Sequence, residues 1–138
     1  MENTNNILLF DQVIPIKPLT NYELLKYVKL LNIKNFRGVF MRDTLPKKKS
    51  KSSESGIVNL DSNNSQGTHW VCFYDTIYFD SYGLPPPDEL VKYMPHPIYY
   101  NSNEIQDRAS VICGHLCLYV LKHLSDGKSY EEVWKTLV

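Results

Sequence analysis

The chain has few of the features that mark secreted or membrane-spanning proteins. It contains only three cysteines, an odd number, and it begins with MENTNN, which is not a charged segment followed by an apolar one. No apolar run approaches the roughly 18 residues that a transmembrane helix requires. We therefore expect free thiols in a reducing compartment, no disulfide framework and no membrane contact.

The chain also lacks net charge, since 15 basic residues balance 15 acidic ones. Its global charge therefore does not predict nucleic acid as the main partner. One local exception is a basic run, which is either a solvated loop or a weak nucleic-acid contact. The residues of this run are Lys47, Lys48, Lys49 and Lys51.

What the chain does have is enough apolar and aromatic sequence for one core. Its 138 residues are 43% hydrophobic and include ten tyrosines, which predicts a single domain over residues 1–138. Two polar stretches, residues 46–56 and 61–67, are expected to be mobile surface loops within that domain.

Helical periodicity and capping signals predict several helices. Thr20 is a capping residue, and Glu23 three positions later completes a capping box. The helices are expected over residues 19–32, 88–94, 113–124 and 129–137. The apolar residues expected on the buried face of the first helix are Leu24, Leu25, Val28, Leu30 and Leu31.

Extended segments are expected between these helices. Gly38 is interpreted as a turn that leads into a short extended piece, and residues 57–60 and 98–100 as short strands. The stretch HWVCFYDTIYFD predicts a β-hairpin that turns at Asp75-Thr76.

The hairpin register brings a histidine and a carboxylate together. With the turn at Asp75-Thr76, Cys72 lies opposite Phe79 on one face and is expected in the core. His69 and Asp80 are then diagonal neighbours, with backbones about 7–8 Å apart. A carboxylate in this position can fix the tautomer of an imidazole. Taken alone, the pair is a weak signal, and an ordinary surface pair is the favoured interpretation.

A candidate nucleophile begins the helix over residues 113–124. Cys113 follows an irregular polar stretch, so it lies at the helix N-terminus, where a thiolate is favoured. Gly114 beside it would allow a substrate backbone to approach. A buried structural cysteine is the alternative interpretation, and it is the favoured one for Cys117 one turn later. A zinc site on Cys113 and Cys117 is disfavoured because no second closely spaced Cys/His pair is present.

Helix geometry limits which histidine can serve Cys113. His115 lies two positions later and points about 200° away. His123 is at the far end of the same helix, and His96 lies between two prolines. His69 therefore remains as the base. An oxyanion would need donors, for which the backbone N–H of Cys113 and the side chain of Gln106 are candidates.

Together these segments resemble the adenovirus-type maturation protease, adenain, and more distantly the SUMO-specific proteases of the same clan. GTHW at residues 67–70 resembles the G-x-H-W histidine motif. FDSYG at residues 79–83 resembles the acidic motif, an acid followed by x-aromatic-Gly. Gln106 precedes Cys113-Gly114 with the spacing of the Q-x6-C-G motif. NFRGVF at residues 35–40 and Asp43 resemble proteases of virophage and Polinton-type elements.

The resemblance implies an α+β, papain-like-clan fold with a central, mostly antiparallel sheet flanked by helices. It implies a thiol protease that cleaves capsid precursors at small or Gly-containing sites during virion maturation, in the virion and at the assembly site in the host cytoplasm or nucleus. It implies no cofactor or metal, although adenain is activated by a disulfide-linked peptide and by DNA. The implied catalytic residues are His69, Asp80, Gln106 and Cys113, and the implied substrate-binding residues are Gly67, Trp70 and Gly114.

Two departures and two alternatives accompany this resemblance. The interval from His69 to Asp80 is shorter than in familiar relatives, and no cysteine between Cys72 and Cys113 matches the one that carries the activating peptide. A ubiquitin- or SUMO-like deconjugating protease is one alternative function. A catalytically latent, capsid-associated binding protein is the other.

Overall fold

The computed structural model describes residues 5–61, 69–105 and 110–137. The strands are β1 (Asn6–Leu9), β2 (Gln12–Pro15), β3 (Phe36–Met41), β4 (Ser55–Asn59), β5 (Trp70–Tyr74), β6 (Ile77–Phe79) and β7 (Tyr99–Tyr100). The helices are α1 (Asn21–Leu30), α2 (Asp88–Tyr93), α3 (Cys113–Ser125) and α4 (Tyr130–Leu137). No helix in these ranges is long and apolar enough to cross a membrane.

The main sheet has five strands in the order β3-β4-β5-β6-β7. The pairs β4/β5 and β5/β6 are antiparallel, whereas β3/β4 and β6/β7 are parallel. The predicted α+β class is therefore present, but the expectation of a mostly antiparallel sheet is wrong. The connections over residues 42–54 and 80–98 are long enough to return the chain for parallel pairing.

The predicted hairpin and its register are confirmed. Cys72 pairs with Phe79 and Tyr74 with Ile77, and Asp75 adopts a positive φ of 54° at the turn. Alternation along the strands gives the sheet two buried faces. One face carries Ile57, Trp70, Cys72 and Phe79 in the core formed with α1 and α3; the other carries Val58, Val71, Phe73 and Tyr78 in a smaller core with α2.

Helix α1 begins as predicted, and three of the five residues expected on its buried face are buried. The N–H of Glu23 donates to Thr20 Oγ1 at 3.2 Å, and the N–H of Thr20 donates to Glu23 Oε1 at 3.0 Å. Leu25 and Leu30 are 43% and 49% exposed, so their predicted burial is wrong. The buried residues follow the spacing i, i+3, i+4, i+7 of one helical face; they are Leu24, Tyr27, Val28 and Leu31.

Two further segments differ from expectation. Gly38 lies within β3, where the register shifts at a β-bulge, so the predicted turn there is wrong. A glycine inside a strand often marks a bulge, so Gly38 indicates an irregularity here but not a turn. In the polar stretch at 46–56, the last two residues, Ser55 and Gly56, belong to β4. The second predicted loop, 61–67, lies outside the described residues apart from Asp61.

The hairpin of β1 and β2 was not predicted. Leu9 and Ile14 are buried in the larger core, while Leu8 and Val13, which pair directly, are exposed. The hairpin is fastened to α3 because His115 Nε2 donates to the carbonyl of Pro15 at 2.8 Å.

Candidate active site

The first contact of the site joins the two ends of the β5–β6 hairpin. His69 immediately precedes β5 and Asp80 immediately follows β6. His69 Nε2 and Asp80 Oδ1 are 2.7 Å apart, and both side chains are buried. The carboxylate only accepts hydrogen bonds, so Nε2 carries the proton and Nδ1 is the basic nitrogen of the neutral ring. The predicted contact is therefore present.

Asp80 is itself held by a residue that sequence reasoning missed. The fully buried Asn101 accepts from the Asp80 N–H through Oδ1 at 3.1 Å, and its Nδ2 donates to the Asp80 carbonyl. The N–H of Tyr82 donates to Asp80 Oδ1 at 2.8 Å. These bonds fix both the backbone and the carboxylate of Asp80. The parallel pairing of β7 with β6 explains why Asn101, which follows β7, arrives at this point.

Tyr82 has a second contact with the site. Its ring stacks on the imidazole of His69, with 3.9 Å between centroids and 5° between the planes. The stack restricts rotation of the imidazole while leaving the edge with its two nitrogens free to bond. The sequence motif contains this aromatic residue, but its position over the histidine could not be read from the motif.

The electrostatics of the site favour a charged imidazole. Burial by itself would lower the pKa of His69, but hydrogen bonding and charge interaction with Asp80 and Cys113 outweigh it and raise this pKa from 6.5 to about 9. The imidazolium form therefore persists through neutral pH, and an imidazolium beside a thiol favours the thiolate.

Cys113 lies on helix α3 and contributes the third side chain of the site. It is buried as the first residue of α3, as predicted. The N–H of Trp70 donates to Cys113 Sγ at 3.4 Å. Since Asp80 occupies Nε2 of His69, Nδ1 is the ring nitrogen left for the thiol. The structure thus brings together Cys113, His69 and Asp80, three of the four predicted catalytic residues.

Gln106, the fourth, lies outside the described residues, as does Gly67. The backbone just before Gln106 is fixed, because the N–H of Ile105 donates to the carbonyl of Ser81 at 2.8 Å. This bond fastens the approach to Gln106 to the turn that carries Asp80. The roles of Gln106 and Gly67 remain predictions.

Two further predicted site residues, Trp70 and Gly114, are neighbours of Cys113. Trp70 donates from Nε1 to the carbonyl of Leu19 at 2.9 Å and borders a groove of about 420 Å³. Gly114 faces α1: a Cβ there would lie 3.3 Å from the side chains of Leu19 and Leu24. Its small size therefore serves helix packing, and its contact with substrate stays a prediction.

The other cysteines and histidines stand apart from this chemistry. Cys72 and Cys117 are buried in the larger core, and burial raises the pKa of the Cys117 thiol. His115 points to the N-terminal hairpin, as helix geometry required. The ring of His123 packs against Phe10 and Tyr119.

The basic run lies on the other face of the sheet, near α2. Lys47 and Lys49 border a shallow groove of about 240 Å³, together with Arg42 and Lys92. Acidic residues share this groove, and Arg42 Nε lies 3.1 Å from Glu89 Oε2. The surface is therefore of mixed charge.

The fold is similar to that of a viral cysteine protease. Among solved structures, the crystal structure of the selenomethionine form of the ASFV pS273R protease is similar, with a TM-score of 0.56 and 18% sequence identity. The match covers 88% of this chain and 63% of that one, so this chain spans less than two thirds of the ASFV protease. No family model and no curated protein sequence matches the chain.

Proposed function

We propose that this chain is a cysteine endopeptidase in which Cys113 is the nucleophile, His69 the base and Asp80 the residue that orients the base. The observation that carries the proposal is the buried arrangement at one end of the hairpin. His69 Nε2 bonds Asp80 at 2.7 Å, and its other nitrogen is left for the thiol at the start of α3. The fold similarity to a viral protease supports the same reaction class.

The proton of Cys113 Sγ resides on His69 Nδ1 before the substrate reacts, because the pKa of His69 is raised to about 9. The thiolate attacks the scissile carbonyl carbon, and the negative oxygen is held by the N–H of Cys113 and by Gln106. When the intermediate collapses, the C–N bond breaks and the amine leaves with the proton from His69. Water then attacks the thioester with His69 as base, which releases the acid and restores the thiol.

The proposed natural substrates are viral capsid precursor proteins, cut at small or Gly-containing sites during virion maturation. This places the protein in the virion and at the assembly site in the host cytoplasm or nucleus. Trp70, Gly67 and Gly114 are the proposed substrate contacts. A weak nucleic-acid contact is proposed for Lys47, Lys48, Lys49 and Lys51, which are solvent-exposed.

The test is cleavage of a purified capsid precursor, with and without DNA, followed by mass spectrometry. Cys113→Ala should lower cleavage by about 10⁴-fold or more while the melting temperature stays near that of the wild type. Cys117→Ala is the matched control, because it deletes an equivalent thiol one helical turn away. It should cost stability but retain the cleavage pattern.

Undiminished cleavage by Cys113→Ala would overturn the assignment. Covalent labelling of Cys113 by a ubiquitin or SUMO vinyl sulfone, without precursor cleavage, would instead indicate a deconjugating protease.

A further inference from the structure

A groove of about 420 Å³ lies along the end of the sheet and is bordered by Trp70, a neighbour of the candidate nucleophile. Met41, Asn59 and Trp70 are register partners across β3, β4 and β5, so they lie in one row along its floor. The inner end of this row is at the candidate nucleophile, because the N–H of Trp70 is 3.4 Å from Cys113 Sγ. The groove is thus adjacent to the candidate active site.

The start of α1 forms the facing wall. Trp70 Nε1 holds the carbonyl of Leu19 at 2.9 Å, and the capping box orders Thr20. Among the described residues, those that line the groove carry no formal charge. Its residues are Pro18, Leu19, Thr20, Asn21, Val39, Phe40, Met41, Thr44, Asn59 and Trp70.

One polar group in this floor is unsatisfied. Asn59 is completely buried, and its Oδ1 accepts from the N–H of Asp61 at 2.9 Å. That bond identifies the other terminal atom as the amide nitrogen. Within the part of the chain that the structure describes, Nδ2 has no hydrogen-bond partner. Buried polar groups are nearly always paired, so an unpaired donor in a groove calls for an explanation.

The neighbouring hydroxyls do not offer the same opportunity. Thr44 Oγ1 accepts from the N–H of Met41 at 3.0 Å and donates to its carbonyl at 3.2 Å. Thr20 Oγ1 accepts from the N–H of Glu23. The amide of Asn59 therefore differs from these hydroxyls in having no partner, and a hydrogen bond to it would be strong because Asn59 is shielded from water.

We propose that Asn59 determines substrate specificity by donating a hydrogen bond from Nδ2 to an uncharged oxygen of a substrate side chain, that of Ser, Thr, Asn or Gln. This inference rests on the proposed protease function. We propose a side chain rather than the substrate backbone as the acceptor, because Asn59 is completely buried in the floor between Met41 and Trp70. Strand spacing of about 4.8 Å and about 3.4 Å per extended residue place this side chain roughly two to four residues from the scissile bond.

The experiment profiles cleavage with peptides that vary each residue within four positions of a Gly-containing junction taken from a capsid precursor. Wild type should prefer neutral oxygen-bearing side chains over aliphatic ones by about tenfold or more at one position. Asn59→Leu should lose or reverse that preference. Asn59→Asp keeps the acceptor for the Asp61 N–H but replaces the donor, so it should favour lysine at the same position.

The same peptides, with a fluorescent label, are tested for binding to Cys113→Ala and to Cys113→Ala combined with each Asn59 variant. If wild type cleaves and both Asn59 variants keep its preference, the inference is overturned and the protease function stands. If wild type cleaves nothing but binding depends on Asn59 as described, the protease function is overturned and the ligand class stands. If no peptide is cleaved and none is bound, both the inference and the protease function are overturned. Melting temperatures identify a variant that fails to fold, and the other variant then decides.

Discussion

At the scale of single residues, the imidazole of His69 is held on three sides. Asp80 accepts from Nε2, the ring of Tyr82 covers one face, and Cys113 interacts with the remaining side. A ring held in this way keeps one tautomer and one orientation, which proton transfer to and from the same nitrogen requires. Asp80 can do this because its own backbone and carboxylate are fixed by Asn101 and the Tyr82 N–H.

The first prediction concerns the charge of His69. An NMR titration of the imidazole should give a pKa of about 9. The variant Asp80→Asn should lower this pKa, because it removes the negative charge that counteracts the effect of burial. His96, which is exposed, is the internal reference. A His69 pKa near 6.5 in the wild type would contradict the geometry described here.

The second prediction links that pKa to stability. The folded pKa of His69, about 9, lies above the unfolded value of 6.5. Its contribution is therefore fully present below pH 6.5 and is lost as the pH rises through 9. The stabilisation is on the order of 3 kcal/mol. Urea unfolding at pH 6 and pH 9.5 measures it, and the loss between the two should be smaller in His69→Gln. An equal loss in both proteins would remove His69 as the cause.

Sequence reasoning reached part of this residue-scale arrangement. The turn at Asp75 fixes the parity of the hairpin, and parity alone places His69 beside Asp80. Asn101 could not be found in the same way, since a two-residue strand has no periodicity to read. The stack of Tyr82 on His69 likewise depends on how the turn folds after Asp80.

At the scale of elements, the turn over residues 80–83 is fastened to residues 101–105. The N–H of Gly83 donates to the carbonyl of Asp80 at 2.8 Å, and the N–H of Ile105 donates to Ser81. Gly83 has a φ of 75° and packs against the backbone of Asn103. The turn thereby connects the carboxylate to the segment that leads to Gln106.

The third prediction tests this connection with Gly83→Ala. A Cβ at Gly83 would lie 2.7 Å from the carbonyl carbon of Asn103, too close for real contacts, so the two segments must separate. We expect a loss of about 2–4 kcal/mol in the free energy of unfolding and a fall in kcat. Gly127→Ala is the matched control, because Gly127 has a φ of 92° but open space around it. It should cost only the backbone strain, about 1–2 kcal/mol, and leave cleavage unchanged. Equal losses in both variants would rule out the clash as the cause.

Local signals explain which elements could be predicted. Helix α1 is predictable from its capping box and periodicity, and α3 from the apolar periodicity of its own segment. The prediction that Leu25 and Leu30 are buried is wrong because leucines lie on several sides of α1. Only the packing of the helix on β3 and α3 determines which of them are buried. The parallel pairings of β3 and β7 could not be predicted, since they depend on crossovers whose direction no local pattern records.

At the scale of the whole molecule, the mixed sheet separates two cores, and the N-terminal hairpin closes the larger one over α3. Ile14 is fully buried there, and His115 on α3 donates to the neighbouring Pro15. The hairpin is therefore integral to the core on which the helix of Cys113 rests. One cooperative unit over the described residues follows from this packing.

The fourth prediction is that Ile14→Ala lowers the free energy of unfolding by about 2–5 kcal/mol in a single transition seen by both fluorescence and circular dichroism. Val13→Ala is the control: Val13 is adjacent but 61% exposed, so its change should stay within about 0.5 kcal/mol. Two separate transitions would show instead that the hairpin folds independently.

The contact between the Trp70 N–H and the Cys113 sulfur also has a consequence in time. The two residues are 43 positions apart in the chain, and a ribosome adds roughly 5–20 residues per second. The base His69 thus emerges roughly two to nine seconds before the nucleophile. During translation the residues of the hairpin are therefore made before the thiol that completes the site. If the proposed function is right, the enzyme becomes able to cut only after α3 has been made and has packed against β5.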